Sequence, residues 1–341
     1  MTDQLFKTMS QSFKNKMKEK MVDQKEVNYD ENPIGEGRYG AIYRGKLTHG
    51  GKVHEIAIKT MHDFSNEESF IEEVCSGFGL RPHPNVLPFL GLYYPAPHKR
   101  RDPLLSPMFK KPFIVSPFIK HGDLKNYLSD LNRSADITCK KLLFYLTDVA
   151  KGIQFLHHNQ IIHRDIAARN CLLTESDRIK ICDFGLCHKG SPYDNYCLKV
   201  NDKLCYSPEP WMAIESLKHS DWYDASDVWS FGVLVWEFFT RARRLPYGVK
   251  NNYSELLERG KRLGRPKTMP WAVYFFCLRC WDLTRDQRPK SEQLIKALGD
   301  FSARSQLFGI KKEVLEGMID DDPEVEGLCD ISYHEQLDRD V

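Results

Sequence analysis

The sequence predicts an α+β protein in two parts, a small β-rich lobe followed by a larger helical lobe. Three observations predict it. Glycines and alternating apolar positions fill residues 33–60, helical periodicity dominates after Asp123, and the chain is rich enough in apolar residues (41%, with 12% aromatic, over 341 residues) to bury a sizeable core. The 49 Lys and Arg nearly balance the 47 Asp and Glu, so bulk charge makes no case for nucleic-acid binding. No stretch approaches 18 consecutive apolar residues, and the start, Met1-Thr2-Asp3, lacks an apolar signal core. Thr2 stands where N-myristoylation needs glycine. A cytoplasmic protein with reduced thiols is expected from these features.

Residues 1–27 read as a separate segment. Leu5, Met9, Phe13, Met17 and Met21 recur every four residues, and Lys7, Lys14, Lys16, Lys18 and Lys20 fill much of the rest, which is a basic amphipathic helix pattern. Two readings stand side by side: peripheral membrane or partner contact, and a helix docked on the main body. Ala41, Tyr43, Ile56 and Ile58 then mark strands, with His49-Gly50-Gly51 as a turn. Residues 65–79 read as a helix with Ser65 as N-cap. Strand-like runs return at Val86-Leu90 and Phe113-Phe118. Between them, 94–112 is rich in Pro, Lys and Arg and reads as a basic surface insertion. Helices are expected at 138–159, 225–240, 253–259, 270–281 and 291–300. Residues 302–341, with Asp320, Asp321, Asp322, Glu324 and Glu326, read as an acidic tail carrying one helix near 305–318. Of the ten cysteines, Cys277 and Cys280 alone have C-x-x-C spacing; a metal site would want a second such pair, so a core reading is preferred.

Three motifs carry chemistry. Gly35-Glu36-Gly37-Arg38-Tyr39-Gly40 lets backbone N–H groups approach phosphate oxygens, and because Ala41-Ile42-Tyr43 continues as a strand, the glycines belong to a hairpin. Ala57-Ile58-Lys59 delivers a lysine on a strand, and Glu73 on the following helix is its natural counter-ion. In His163-Arg164-Asp165-Ile166-Ala167-Ala168-Arg169-Asn170, a carboxylate and an amide five residues later can serve one centre. Asp165 would orient or accept the proton of an attacking hydroxyl and Asn170 would offer an oxygen to Mg²⁺; Asp183-Phe184-Gly185 adds a second metal carboxylate.

This ordered set resembles the signature of the eukaryotic protein kinases, over about Tyr29 to Leu298. The resemblance implies the two-lobed protein kinase fold, with an N-lobe and hinge at 28–119 and a C-lobe at 120–300, flanked by the segments 1–27 and 301–341. It implies ATP as co-substrate and Mg²⁺, two ions, as cofactor. Gly35, Glu36, Gly37 and Gly40 would cover the phosphates; Lys59 would bind the α- and β-phosphates and pair with Glu73; Asp165 would be the base, beside Arg169 and Asn170; Asn170 and Asp183 would hold metal. Adenine would lie near Ala57, against the carbonyl of Pro117 and the N–H of Ile119, with Ser116 as a small gatekeeper. Asp227 would bond the catalytic-loop backbone, and Arg288 would pair with Glu215.

Ala167 stands where serine/threonine kinases place a lysine, and Asp165-Ile166-Ala167-Ala168-Arg169-Asn170 resembles the tyrosine-kinase form, as do Trp211-Met212-Ala213 and Cys280-Trp281. Tyrosine side chains of proteins are thus the expected acceptors, in signal transduction. Tyr196 and Tyr193 are candidate phosphorylation sites, with Arg164 placed to pair with a phosphate. Pro208-Glu209-Pro210-Trp211 departs from the family pattern: Glu209 puts charge where an apolar residue packs, and Ile214 replaces a proline. The competing readings are a nucleotide-binding scaffold without catalysis and a dual-specificity or serine/threonine kinase.

Overall fold

The computed structural model describes residues 15, 17–37, 40–61, 67–96, 98–134, 137–189, 208–249, 252–304 and 328–330. They fall into two compact units, Met1–Lys120 with Asp183–Cys187, and His121–Cys182 with His188–Val341.

The first unit is built on an antiparallel sheet of β1 (Val27–Gly37), β2 (Gly40–His49), β3 (Lys52–Thr60), β4 (Gly91–Tyr93) and β5 (Phe113–Pro117), in the order β1-β2-β3-β5-β4. Gly50 and Gly51 join β2 to β3 with φ of +57° and +75°, a turn that favours glycine at both positions. Along β3 the alternation is strict. Ile56, Ile58 and Thr60 are buried, while Ala57 and Lys59 point to the opposite face. The register Ala57↔Ser116 and Ile42↔Lys59 puts Ile42, Ala57, Lys59 and Ser116 on that face together. Helix α1 (Glu67–Phe78) presents Phe70, Glu73 and Val74 inwards at i, i+3 and i+4. Ser65 lies outside the described residues.

Three expectations change here. The four-residue periodicity ending at Met17 and Met21 does not continue as one helix face. Met17 is buried among Met61, Phe70, Val74, Leu92 and Ile114, whereas Met21 is exposed. Beyond Met17 the chain runs beside β4, with Val22 N–H donating to Leu92 O and Leu92 N–H to Lys20 O, both at 2.9 Å. The free edge of β4 offers backbone pairing that a helix cannot accept. Gly91 permits the approach, because a Cβ there would meet Val22 Cγ1 at 2.4 Å. Leu5, Met9 and Phe13 lie outside the described residues.

The basic insertion 94–112 is likewise folded onto the sheet. It forms 3-10 turns at Lys99–Arg101 and Pro107–Lys110 and buries Met108 and Phe109. The Phe109 ring packs on Tyr93 and Phe113 with centroids 5.4 and 5.9 Å apart. Val86-Leu90, expected as a strand, carries only an isolated bridge at Val86, and β4 begins at Gly91.

The second unit holds α2 (Leu124–Ser129), α3 (Cys139–His158), α4 (Ile214–His219), α5 (Asp224–Phe239), α6 (Tyr253–Glu258), α7 (Trp271–Cys280) and α8 (Ser291–Arg304). Between α3 and α4 lie the short pairs β6 (Ile161–Ile162) with β9 (His188–Lys189) and β7 (Cys171–Leu173) with β8 (Ile179–Ile181). Side-chain caps start three helices: Asp123 Oδ1 accepts from Asn126 N–H, Thr138 Oγ1 from Lys141 N–H and Asn252 Oδ1 from Glu255 N–H. Helix α5 is buried on every side from Ser226 onward, as an all-round apolar helix must be. A Cβ on Gly232 would meet Trp281 Nε1 at 2.6 Å, so this glycine sets how closely α5 and the end of α7 approach. Cys277 and Cys280 are core residues of α7, and among the described residues no cluster of three or more His, Cys, Asp or Glu side chains is arranged to hold a metal ion. No helix among the described residues is long and apolar enough to cross a membrane. The helix expected near 305–318 lies outside the described residues. Within the acidic segment, Leu328–Asp330 forms a strand, β11, antiparallel to β10 (Lys261–Leu263).

Candidate active site

In the first unit the β1–β2 hairpin brings Gly35 opposite Ile42, Glu36 opposite Ala41 and Gly37 opposite Gly40. The two glycines at its ends have different reasons to be glycine. A Cβ on Gly40 would strike Thr60 O at 1.5 Å, so packing against β3 excludes a side chain there. A Cβ on Gly35 would meet nothing within 4 Å, and its φ is not in the left-handed region. The protein itself does not require glycine at 35; the space is left open.

Lys59 lies between two carboxylates. Its Nζ donates to Glu73 Oε1 and Oε2 at 2.8 and 3.0 Å and to Asp183 Oδ1 at 2.7 Å. Burial alone would depress the ammonium pKa; the charges of Asp183 and Glu73 overcome it and hold Lys59 protonated. Burial, together with the Asp183 charge, pushes Glu73 upward despite Lys59. Two carboxylates against one ammonium leave an excess of negative charge and oxygen donors beside the open hairpin, a surrounding that suits a hard divalent cation. Asp183 has φ +65° and takes Gly185 N–H on Oδ1 at 3.3 Å. Phe184 is buried edge-on against Phe89, which also packs on Phe78 of α1 and so supports the helix that carries Glu73. Ser116 and Ala57 are partly exposed on the Lys59 face; Pro117, the last residue of β5, and Ile119 beyond it are also partly exposed, and Phe118 N–H between them donates to Glu55 O at 3.1 Å.

In the second unit Asp227 of α5 straps the loop before Asp165. Its Oδ2 accepts from His163 N–H at 2.8 Å and its Oδ1 from Arg164 N–H at 2.9 Å. Arg164 is held at φ +69°, and these bonds help offset the cost, about 1 kcal/mol, of that left-handed backbone. Asn170 Nδ2 donates to Asp165 Oδ2 and to its carbonyl, both at 2.7 Å, and Arg169 donates to Asp165 Oδ1. The Arg169 guanidinium also lies 4.3 Å over the Trp211 ring. The loop residues thus converge on Asp165, with Ala167 wholly buried beside them.

A family model described as "Protein tyrosine and serine/threonine kinase" matches residues 29–298, from β1 to α8. The chain belongs to the protein kinase family. The two-lobed fold of this kinase follows, with the five-stranded sheet as its N-lobe and the helical unit as its C-lobe. The family transfers phosphate to proteins and uses ATP and Mg²⁺.

A second charged cluster lies further along the C-lobe. Arg288 grips Glu215 with Nη1 and Nη2 at 2.7 and 2.8 Å, and Ser226 Oγ donates to the same carboxylate at 2.9 Å. Burial would raise the Glu215 pKa, but the Arg288 bonds prevail and lower it. The Glu209–Trp211 turn precedes this pair. Glu209, which breaks the apolar pattern, is exposed between buried Pro208 and Pro210, so its charge is not desolvated. Tyr193 and Tyr196 lie outside the described residues, as do Arg38 and Tyr39.

Two further groups were not singled out from sequence. Ile42 is an exposed apolar residue on the same face as Ala57 and Lys59. Glu237 of α5 is buried and accepts on one oxygen, Oε2, from Ala168 N–H at 3.0 Å and Trp211 Nε1–H at 2.9 Å. Burial pushes its carboxyl up to about 7, against the pull of the Trp211 and Ala168 bonds. The only signal in the sequence is an acidic residue near the end of an otherwise apolar helix.

Proposed function

We propose that this kinase transfers the γ-phosphate of ATP to tyrosine hydroxyls of protein substrates. The observation that carries the choice of acceptor is the position of the cation beside Asp165. Ala167 is fully buried, with no lysine in its place, and the guanidinium of Arg169 lies instead between Asp165 and the Trp211 ring. A cation set back in this way leaves room in front of Asp165 for a phenol, which carries its hydroxyl much further from the backbone than serine does.

In this reading Gly35, Glu36, Gly37 and Gly40 cover the phosphates, and the unfilled space at Gly35 is where phosphate oxygens approach backbone N–H groups. Lys59, oriented by Glu73, neutralises the α- and β-phosphates. Ile42 and Ala57 contact adenine, the Pro117 carbonyl and Ile119 N–H read its edge, and Ser116 leaves the pocket behind it open. Asp165 accepts or orients the tyrosine proton, held in register by Arg169 and Asn170. The amide nitrogen of Asn170 is committed to Asp165, so its oxygen is the atom offered to a metal ion; Asp183 offers its carboxylate. Mg²⁺, when bound, supplies charge neutralisation of the phosphoryl oxygens. Tyr196 and Tyr193 are proposed phosphorylation sites. Cys139, Cys171, Cys277 and Cys280 are free thiols, which suits a reducing, cytoplasmic setting.

A set of peptides identical except for the acceptor separates the readings. With ATP and Mg²⁺, the tyrosine peptide should be phosphorylated and the serine, threonine and phenylalanine peptides left unmodified. Equal transfer to serine would place the chain among the dual-specificity kinases, and no transfer to any peptide would point to the scaffold reading.

A further inference from the structure

We propose that Glu237 is a positioning residue, which locks the catalytic loop and the substrate-side turn to one buried oxygen and thereby sets the Arg169 guanidinium against Asp165. This rests on the reading of Asp165 as the catalytic base.

The geometry is a closed circuit. Glu237 Oε2 holds the backbone N–H of Ala168, the residue directly before Arg169, and the indole N–H of Trp211. The Trp211 ring in turn lies 4.3 Å from the Arg169 guanidinium, which donates to Asp165. Arg169 is therefore fixed from both ends, its backbone through Ala168 and its head group through the indole, and both fixings meet at one atom. The groups facing that carboxyl are the Trp211 indole, the Ala168 amide, Arg169 and Asp165.

Packing alone does not call for a glutamate here. The side chain is only 3% exposed, in a helix whose surroundings are apolar, and a hydrophobic residue of similar volume would avoid the desolvation of a carboxyl group. Nor is Glu237 needed merely to tether the turn, since Ser230 Oγ already donates to Trp211 O at 2.7 Å. What Glu237 adds is control of the indole itself, and so of the ring on which Arg169 rests.

The test compares Glu237→Gln, which keeps a carbonyl oxygen for both donors, with Glu237→Met, which keeps the volume and loses the acceptor. Trp211→Phe is the second route, since it keeps a ring and removes the N–H. On a tyrosine peptide, Glu237→Met and Trp211→Phe should each lower kcat at least tenfold with KM for ATP unchanged. Glu237→Gln should stay within about threefold of wild type. The double variant Glu237→Met/Trp211→Phe should be no worse than the poorer single one, because both changes break the same link. Full kcat in a folded Glu237→Met protein, equal damage by Gln and Met, or additive losses would overturn the proposal. A readout independent of turnover keeps it apart from the acceptor question. The Trp211 indole N–H resonance, assigned by its absence in Trp211→Phe, should exchange slowly with solvent in wild type and Glu237→Gln and rapidly in Glu237→Met. Similar exchange in all three would sink the proposal even for a kinase fully active on tyrosine.

Discussion

Gly35 and Gly40 lie on paired strands five residues apart, yet substitution at each tests a different thing. Alanine at 40 would drive its Cβ into the Thr60 carbonyl, a backbone atom that cannot step aside. Gly40→Ala should therefore destabilise the fold by the ~1–3 kcal/mol typical of overpacking, read as a lower melting temperature. Gly35→Ala should fold as wild type, because nothing lies within 4 Å of the new methyl, but should raise KM for ATP several-fold if phosphates occupy that space. A Gly35→Ala variant with unaltered KM would remove the hairpin from the nucleotide site. Ser116 poses the matching question at the other end of the same face, opposite Ala57. Ser116→Met should weaken inhibitors that carry a bulky group for the back pocket by tenfold or more while sparing ATP. Unchanged inhibition would mean that no such pocket exists.

At the scale of the element, α5 is the frame on which the 163–170 loop and the 209–215 segment are held. Asp227 holds the backbone at His163 and Arg164, Ser226 supports Glu215, and Glu237 collects Ala168 and Trp211. These polar groups sit in an otherwise apolar helix, and their burial has a pH signature. The folded-state pKa of Glu237 is raised by burial from 4.5 to about 7, so the neutral form is favoured on folding. Its contribution is then fully present below 4.5 and is lost as pH rises through about 7, a change of ~3 kcal/mol for a shift of this size. Glu237→Gln cannot titrate, so thermal melts should show its stability gaining on wild type between those two pH values and holding level above them. A gap that stays constant with pH would contradict the assignment. Glu215 behaves with the opposite sign. Arg288 holds its pKa below the ordinary value, so that pair stabilises above it and is lost as pH falls. Arg288→Leu strands a half-buried carboxylate and should cost ~3 kcal/mol at neutral pH, with a smaller loss in acid.

At the scale of the whole molecule, what could be read in advance was local. Period-two burial in β3 and the apolar faces of α3, α5, α7 and α8 depend on neighbouring residues, so their positions were legible to within a few residues. The pairing of Lys59 with Glu73 was legible too; the roles proposed for Lys59, Glu73, Asp165, Asn170 and Asp183 rest on the resemblance of their motifs to the kinase signature. The missed features all depend on contacts distant in sequence. Residues 20–22 leave the expected helix because β4 has an unpaired edge. Phe109 sinks from a seemingly basic loop because Tyr93 and Phe113 wait beneath it, and Leu328–Asp330 becomes a strand because β10 accepts it. Glu237 was missed for the same reason, as its two donors come from segments far from α5 in the chain.

The central claim is that Asp165 directs the phosphate of ATP to tyrosine. It is tested most directly by incubating the full chain with ATP, Mg²⁺ and poly(Glu,Tyr) and comparing wild type with Asp165→Asn. Wild type should form phosphotyrosine, and Asp165→Asn should form it at least a hundredfold more slowly, the scale of a lost general base, while still being stabilised by a non-hydrolysable ATP analogue. Phosphotyrosine that is absent from the wild-type reaction, or that forms equally well with Asp165→Asn, would contradict the account.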